Sequence, residues 1–190
     1  MNGQRFILVH NGSDTLALTA LLRGADHEVV TVEGFGKNSD DEAEAARVLM
    51  IGGLFDCMVL APPVPEGTGS TAVADTLCRS FALIKTALAA WGSDMDGRIV
   101  VLLSSEAAMG DPSNPAGSAL AGAMLSLSRT VALECRKGRN TINTIMFDSV
   151  ERNADAVALQ IGALAHPASR GVSGQEIFAA GASDVGRLHP

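Results

Sequence analysis

The stretch Gly97-Arg98-Ile99-Val100-Val101-Leu102-Leu103-Ser104-Ser105 sets five apolar residues in a row between a Gly-Arg pair and two serines. A run this short, rich in β-branched residues and without polar alternation, predicts a strand covered on both faces, as in a parallel sheet. Phe6-Ile7-Leu8-Val9 and Cys57-Met58-Val59-Leu60 repeat the pattern. Val29–Val32 and Thr141–Met146 are weaker strands, and Glu176–Ala179 is a short last one. Between them lie helical stretches over 14–23, 40–50, 71–91, 115–135 and 154–166. The first stops at Gly24, and the second begins with acidic residues, as the helix dipole prefers. Regular alternation of strand and helix predicts an α/β fold. Residues 1–190 form one Rossmann-like domain, a doubly wound parallel sheet of about six strands with right-handed crossovers.

Composition narrows the function. A chain of 190 residues and 19.5 kDa suits a single domain with a real core. The balance of 14 Lys+Arg against 21 Asp+Glu gives a net charge of −7, with three lysines and no basic run, which argues against nucleic acid. Hydrophobic residues make up 47 %, too many for a disordered chain. Apolar runs of at most six residues predict no membrane span, and the apolar stretch after Met1 is too short for a signal peptide. Cys57, Cys78 and Cys135 are odd in number, with no C-x-x-C and no metal-ligand spacing, so reduced thiols in a cytoplasmic protein are expected. There is no tyrosine at all, which removes every mechanism that needs a phenolic acid or base.

The two long helices carry more apolar surface than one sheet requires. On 71–91, Val73, Leu77, Phe81, Ile84, Leu88 and Trp91 form one stripe. On 115–135, Leu120, Met124, Leu127 and Val131 form another, widened by Ala119, Ala123, Leu125, Ala132 and Leu133. Neighbours in the same chain or another subunit must cover them. Because an exposed patch of this size would be a liability, the balance favours a subunit interface.

Taken in order, several segments resemble the short-chain dehydrogenases/reductases. They are 97–105, then Ser126-Leu127-Ser128-Arg129-Thr130-Val131-Ala132-Leu133-Glu134, Ile142-Asn143-Thr144-Ile145, and Ser173-Gly174-Gln175-Glu176-Ile177 with Gly181. The likeness runs nearly end to end and is best from residue 97 onward. Relative to the family the chain is truncated. The N-terminal half lacks one βα unit, and 146–173 is too short for the substrate-binding loop and its helices.

The resemblance also implies where the family's chemistry should lie, and most of it is gone. Counting back thirteen residues from Glu134 puts Ala121 at the catalytic lysine and Gly117 at the catalytic tyrosine. Neither side chain can move a proton. The catalytic serine falls at Ser104 or Ser105, a vestigial hydroxyl, and the helix asparagine aligns with Thr76. The glycine-rich cofactor loop is replaced by His10-Asn11-Gly12-Ser13-Asp14 running straight into a helix with Leu16 and Leu18, and an Asp14 N-cap would repel phosphate. The Asn-Asn-Ala-Gly segment reads Ala61-Pro62-Pro63-Val64, and the later Pro-Gly reads Phe147-Asp148. Only Glu33, twenty-one residues beyond Gly12, keeps the spacing of a ribose-binding acid. No cofactor site and no metal site are therefore expected in this chain.

Other constellations are weaker. A serine hydrolase could be assembled from Ser104 or Ser105, one of His10, His27, His166 or His189, and Asp111 or Asp148, but no G-x-S-x-G elbow exists. Asp40, Asp41, Glu42 and Glu44 read as a solvated helix start. Glu66-Gly67-Thr68-Gly69-Ser70 reads as a loop with Ser70 as N-cap. Within the resemblance, lost chemistry beside retained scaffold motifs implies a non-catalytic subunit of a hetero-oligomer, a heterotetramer. An active short-chain dehydrogenase paralogue would carry NAD and oxidise a secondary alcohol such as a hydroxyacyl-CoA. Contacts are expected through 71–91, 115–135 and the C-terminal segment, with 182–190 reaching into the partner's active site. The alternatives are a stand-alone Rossmann-type binding module and an enzyme with unusual chemistry at Ser104 or Ser105.

Overall fold

The structure, a computed structural model, describes residues 3–10, 16–35, 41–65, 69–92 and 95–180. Several expectations fall outside them: the Asn11–Asp14 turn with its N-cap, Asp40, residues 66–68, His189 and the 182–190 tail. The described elements are β1 (Arg5–His10), α1 (Leu16–Gly24), β2 (Glu28–Glu33), α2 (Asp41–Gly52), β3 (Cys57–Leu60), α3 (Ser70–Trp91) and β4 (Arg98–Ser104). They continue with α4 (Ser105–Met109), α5 (Pro115–Cys135), β5 (Thr141–Phe147), α6 (Val150–Ala165), a 3-10 turn (Pro167–Gly171) and β6 (Glu176–Phe178).

All five strand pairings are parallel, in the order β2-β1-β3-β4-β5-β6. This is the doubly wound arrangement with its order reversing beside β1, one outer strand short of the usual three on that side. Period-two alternation divides the central strands between two cores. Ile7, Val9, Met58, Leu60, Ile99, Val101 and Ile142 face α2, α3 and α5. Phe6, Leu8, Cys57, Val59, Val100, Leu102 and Ile145 face α1 and α6. Because both faces are covered, these strands show no polar alternation.

Four local expectations need correction. Helix α6 starts at Val150, four residues early, because Val157, Ile161 and Leu164 already satisfy its sheet-facing side and the first turn simply extends it. Ser70 is the first helical residue of α3, whose N-cap is Gly69 with no side-chain bond. The 71–91 stripe is split: Thr76, Ser80, Leu83, Ile84, Ala87 and Trp91 are buried, whereas Phe81 is 51 % exposed. A twenty-two-residue helix on a twisted sheet cannot keep a single stripe at the contact. Finally, α5 is long and apolar enough to cross a membrane by length and composition, although no single run within it is. Its Leu120, Met124 and Val131 are buried against the sheet and α3 side.

Asparagine side chains tie the far end of the sheet. Asn143 Nδ2 donates to the Val172 carbonyl at 2.9 Å, and its Oδ1 accepts from Gln175 N–H at 3.0 Å. Gly174 N–H donates to the Ile142 carbonyl at 2.7 Å with φ +71°, a conformation that favours glycine. Arg129 on α5 pairs with Glu176 at the start of β6 at 2.7 Å.

Candidate functional site

Parallel strands bring their carboxyl ends to one edge of the sheet, where ligands bind in doubly wound folds. Ser104 closes β4 there and is consumed structurally. Its Oγ accepts from Ala107 N–H at 3.3 Å and caps α4. Ser105, the next residue, is 1 % exposed, and its hydroxyl has no hydrogen-bond partner among the described residues. Helix α5 follows, started by Asn114 as N-cap and Pro115 at its first position. The Asn114 Oδ1 accepts from Gly117 N–H at 3.0 Å.

Gly117 and Ala121 both lie on the buried face of α5. A Cβ at Gly117 would stand 2.7 Å from Asn114 Nδ2 and 2.9 Å from Val64 Cγ1. Val64 belongs to the Ala61-Pro62-Pro63-Val64 segment that leaves β3, so this loop packs directly onto the start of α5. Thr76 is buried on α3, and its carbonyl accepts from Ser80 Oγ at 2.8 Å. Pro62 and Pro63 bring no N–H to a phosphate, and no side chain at 117 or 121 can reach a ribose or a substrate. Glu33 stands exposed at the end of β2, where solvent satisfies it.

Of the described hydrolase candidates, two histidines and both acids are engaged elsewhere. His27 Nδ1 accepts from Gln4 N–H at 3.3 Å and its ring meets Phe6, at the opposite end of the sheet from Ser104. His166 Nδ1 accepts from Ala168 N–H and caps the 3-10 turn. Asp148 accepts from Asn153 Nδ2 and pairs with Arg152 at 3.3 Å. Asp111 accepts from Ser113. Among the described residues no group of three or more His, Cys, Asp or Glu could hold a metal ion.

A concavity of about 540 Å3 does exist, at the other end of the strands. It lies between the last turn of α5, the turn into β5 and the 170–174 connector, and sequence reasoning missed it. Three arginines spread over forty-two positions, Arg129, Arg136 and Arg170, are the only trace it leaves in the sequence.

No protein-family model matches the chain, and no curated protein matches its sequence. Solved structures do. An enoyl-[acyl-carrier-protein] reductase (NADH) from Aquifex aeolicus VF5 superposes with a TM-score of 0.79 at 14 % identity, covering 97 % of this chain and 99 % of that one. A short-chain dehydrogenase/reductase, glucose/ribitol dehydrogenase, from Brucella melitensis gives 0.71 at 19 % identity, covering 95 % and 97 %. A short-chain dehydrogenase/reductase from Serratia marcescens gives 0.70 at 16 %, covering 93 % and 95 %. The chain therefore has the short-chain dehydrogenase/reductase fold, a six-stranded Rossmann-like sheet. At these identities the likeness is one of fold.

Proposed function

We propose that this chain is a non-catalytic subunit of a hetero-oligomeric, NAD-dependent short-chain dehydrogenase. An active paralogue binds NAD and oxidises a secondary alcohol of the hydroxyacyl-CoA type. The observation that carries the reading is the packing at Gly117: at the position that the resemblance gives to the tyrosine, even a Cβ would have to displace the Asn114 and Val64 side chains. Loss of a side chain alone could be reversed by one substitution. A site filled from two elements is committed to something other than proton transfer.

The surface supports the second half of the proposal. Phe81 on α3 and Leu133 on α5 are 51 % and 65 % exposed, and exposed Ala119 with half-buried Leu125 and Leu127 adds apolar surface on α5. Helices that bury one side on the sheet and keep apolar side chains outward suit a helix-to-helix subunit contact. We place the chain, more particularly, as the non-catalytic subunit of 2-[hydroxy(phenyl)methyl]succinyl-CoA dehydrogenase of anaerobic toluene degradation. That step follows the overall pattern of what is lost, and no motif carries it. A cytoplasmic assembly, with the C-terminal tail reaching the partner's site, belongs to the same proposal.

Co-expression with the neighbouring dehydrogenase tests it. A stable heterotetramer by native mass measurement is expected, with one NADH bound per active subunit and none per copy of this chain. Phe81→Asp combined with Leu133→Asp should prevent co-purification while leaving the helical circular dichroism of this chain intact. A monodisperse chain, purified alone, that binds NADH with micromolar affinity would sink the proposal.

A further inference from the structure

The cleft at the amino ends of the strands is lined by arginines in a chain of net charge −7. Arg129 is engaged by Glu176 at 2.7 Å, and Arg139 nearby by Asp96 at 2.7 Å. Arg136 and Arg170 line the cleft, are exposed, and have no ion-pair partner among the described residues. Two guanidinium forks thus remain available at one concavity.

The wall of the cleft supplies the second observation. Thr141 lines it, is 3 % exposed, and its Oγ1 has no hydrogen-bond partner among the described residues. A buried hydroxyl left unsatisfied is costly, and such groups normally have a partner. Arg98 stands beside Thr141 in the register of β4 and β5 and is 1 % exposed. Its Nη1 donates to the Gly97 and Arg139 carbonyls at 3.1 and 3.0 Å, while Nε and Nη2 have no partner among the described residues. Burial pulls the Arg98 pKa down, and Arg170 and Arg139 pull it in the same direction, against Asp96 and Cys57. Burial also raises the Cys57 pKa, so the thiol beside Arg98 stays neutral and supplies no counter-charge.

We propose that the cleft binds a small phosphate monoester, with Arg136 and Arg170 gripping the phosphoryl oxygens and the Thr141 hydroxyl donating to them from the wall. Three separate donors match a group with three terminal oxygens better than a carboxylate with two. The carboxyl end of α5 opposes an anion here, but its half charge is outweighed by two full ones. A cleft of about 540 Å3 is too large for the phosphoryl group alone and lies in the range that holds a small organic molecule. Ser173, also in the lining, would meet a polar group of the organic part. The site lies at the opposite end of the strands from Gly117, and Leu133 on its rim also belongs to the proposed subunit contact.

Isothermal titration at low salt tests this on the chain as it purifies, alone or with its partner, using AMP, glucose 6-phosphate, inorganic phosphate and acetate. Saturable binding of a phosphate ester, one per copy of this chain, is expected, tighter than inorganic phosphate and much tighter than acetate. Loss of each arginine contact should weaken it about tenfold, so Arg136→Gln with Arg170→Gln should nearly abolish it. Because both side chains are exposed, that variant keeps its fold, which circular dichroism verifies. Thr141→Val should weaken binding severalfold; if it unfolds, the arginine variant still decides. A better fit for AMP than for the sugar phosphate identifies a nucleotide, and the reverse a phosphosugar; either supports the proposal. No saturable binding, acetate binding as tightly as the esters, or binding unchanged in the arginine variant overturns it.

Discussion

Gly117→Ala tests whether the space beside Gly117 on α5 is closed. The new Cβ would lie 2.7 Å from Asn114 Nδ2 and 2.9 Å from Val64 Cγ1, both closer than real Cβ contacts come. Swinging the Asn114 amide away breaks the cap it makes with Gly117 N–H, a loss of about 1 kcal/mol. Val64 is stiff at χ1, and pushing it aside costs about 1–2 kcal/mol on the scale of overpacked sites. The better helix propensity of alanine offsets about 1 kcal/mol of this. The net expectation is destabilisation by about 1–2 kcal/mol, which lowers Tm by about 2–8 °C in a domain of this size. Gly122 on the same helix is the control: a Cβ there meets nothing within 4 Å, so Gly122→Ala should be stabilising by up to about 1 kcal/mol. Urea denaturation followed by circular dichroism, at one fixed protein concentration, measures both. Adding Val64→Ala to Gly117→Ala should recover the Val64 share, as a double-mutant cycle would report. If Gly117→Ala proves as stabilising as Gly122→Ala, the position is open and the reasoning fails.

Gly97→Ala should be harsher, because its Cβ would fall 2.2 Å from the Trp91 ring, which is buried and donates from Nε1 to the Phe55 carbonyl at 2.8 Å. A loss of about 2–3 kcal/mol is expected, and emission from this single tryptophan should shift to the red; unchanged emission would contradict the packing. Asn143→Ala strands the Val172 carbonyl and the Gln175 N–H, at a cost of about 2–3 kcal/mol, and hydrogen exchange at Gln175 should accelerate. Burial raises the pKa of Cys57, and less completely that of Cys135, so the folded chain holds these thiol protons more tightly than the unfolded one. For Cys57 this contribution is full below the ordinary thiol value near 8.5 and is lost as pH rises above it, by about 1.4 kcal/mol per unit, and Cys135 acts in the same direction. Urea midpoints should therefore fall between neutral and strongly alkaline pH and fall less in Cys57→Ala; equal slopes would refute the assignment.

Much of the architecture is legible in short apolar runs. Cys57–Leu60 is a strand with the expected bounds, and 115–135 is a helix with both ends where Pro115 and the last apolar turn put them. These signals are local, since a strand buried on both faces favours apolar residues on both and proline fits the first turn of a helix but not its interior. The Phe81 position illustrates what periodicity cannot show. Spacing groups it with Ile84 and Trp91, yet the sheet's twist turns it outward while Ser80 and Thr76 go in. Ser104 and Ser105 are adjacent in sequence and opposite in circumstance, one a helix cap and the other a buried hydroxyl. Only the direction in which the strand leaves the sheet separates them.

The residues alone determined the class of sheet, the absence of any phenolic group, and the glycine and alanine at 117 and 121 of the 115–135 helix. Each depends on side-chain identity at single positions or on short-range pattern. What only tertiary structure decided is whether those losses leave space. Val64 and Gly117 are fifty-three positions apart, and their contact follows from β3 and α5 opening onto the same edge of the sheet. The same holds for the basic cleft, where Arg136, Thr141 and Arg170 meet because a helix end, a strand start and a connector converge. Convergence of that kind is a property of chain paths in space, and no local spacing rule encodes it.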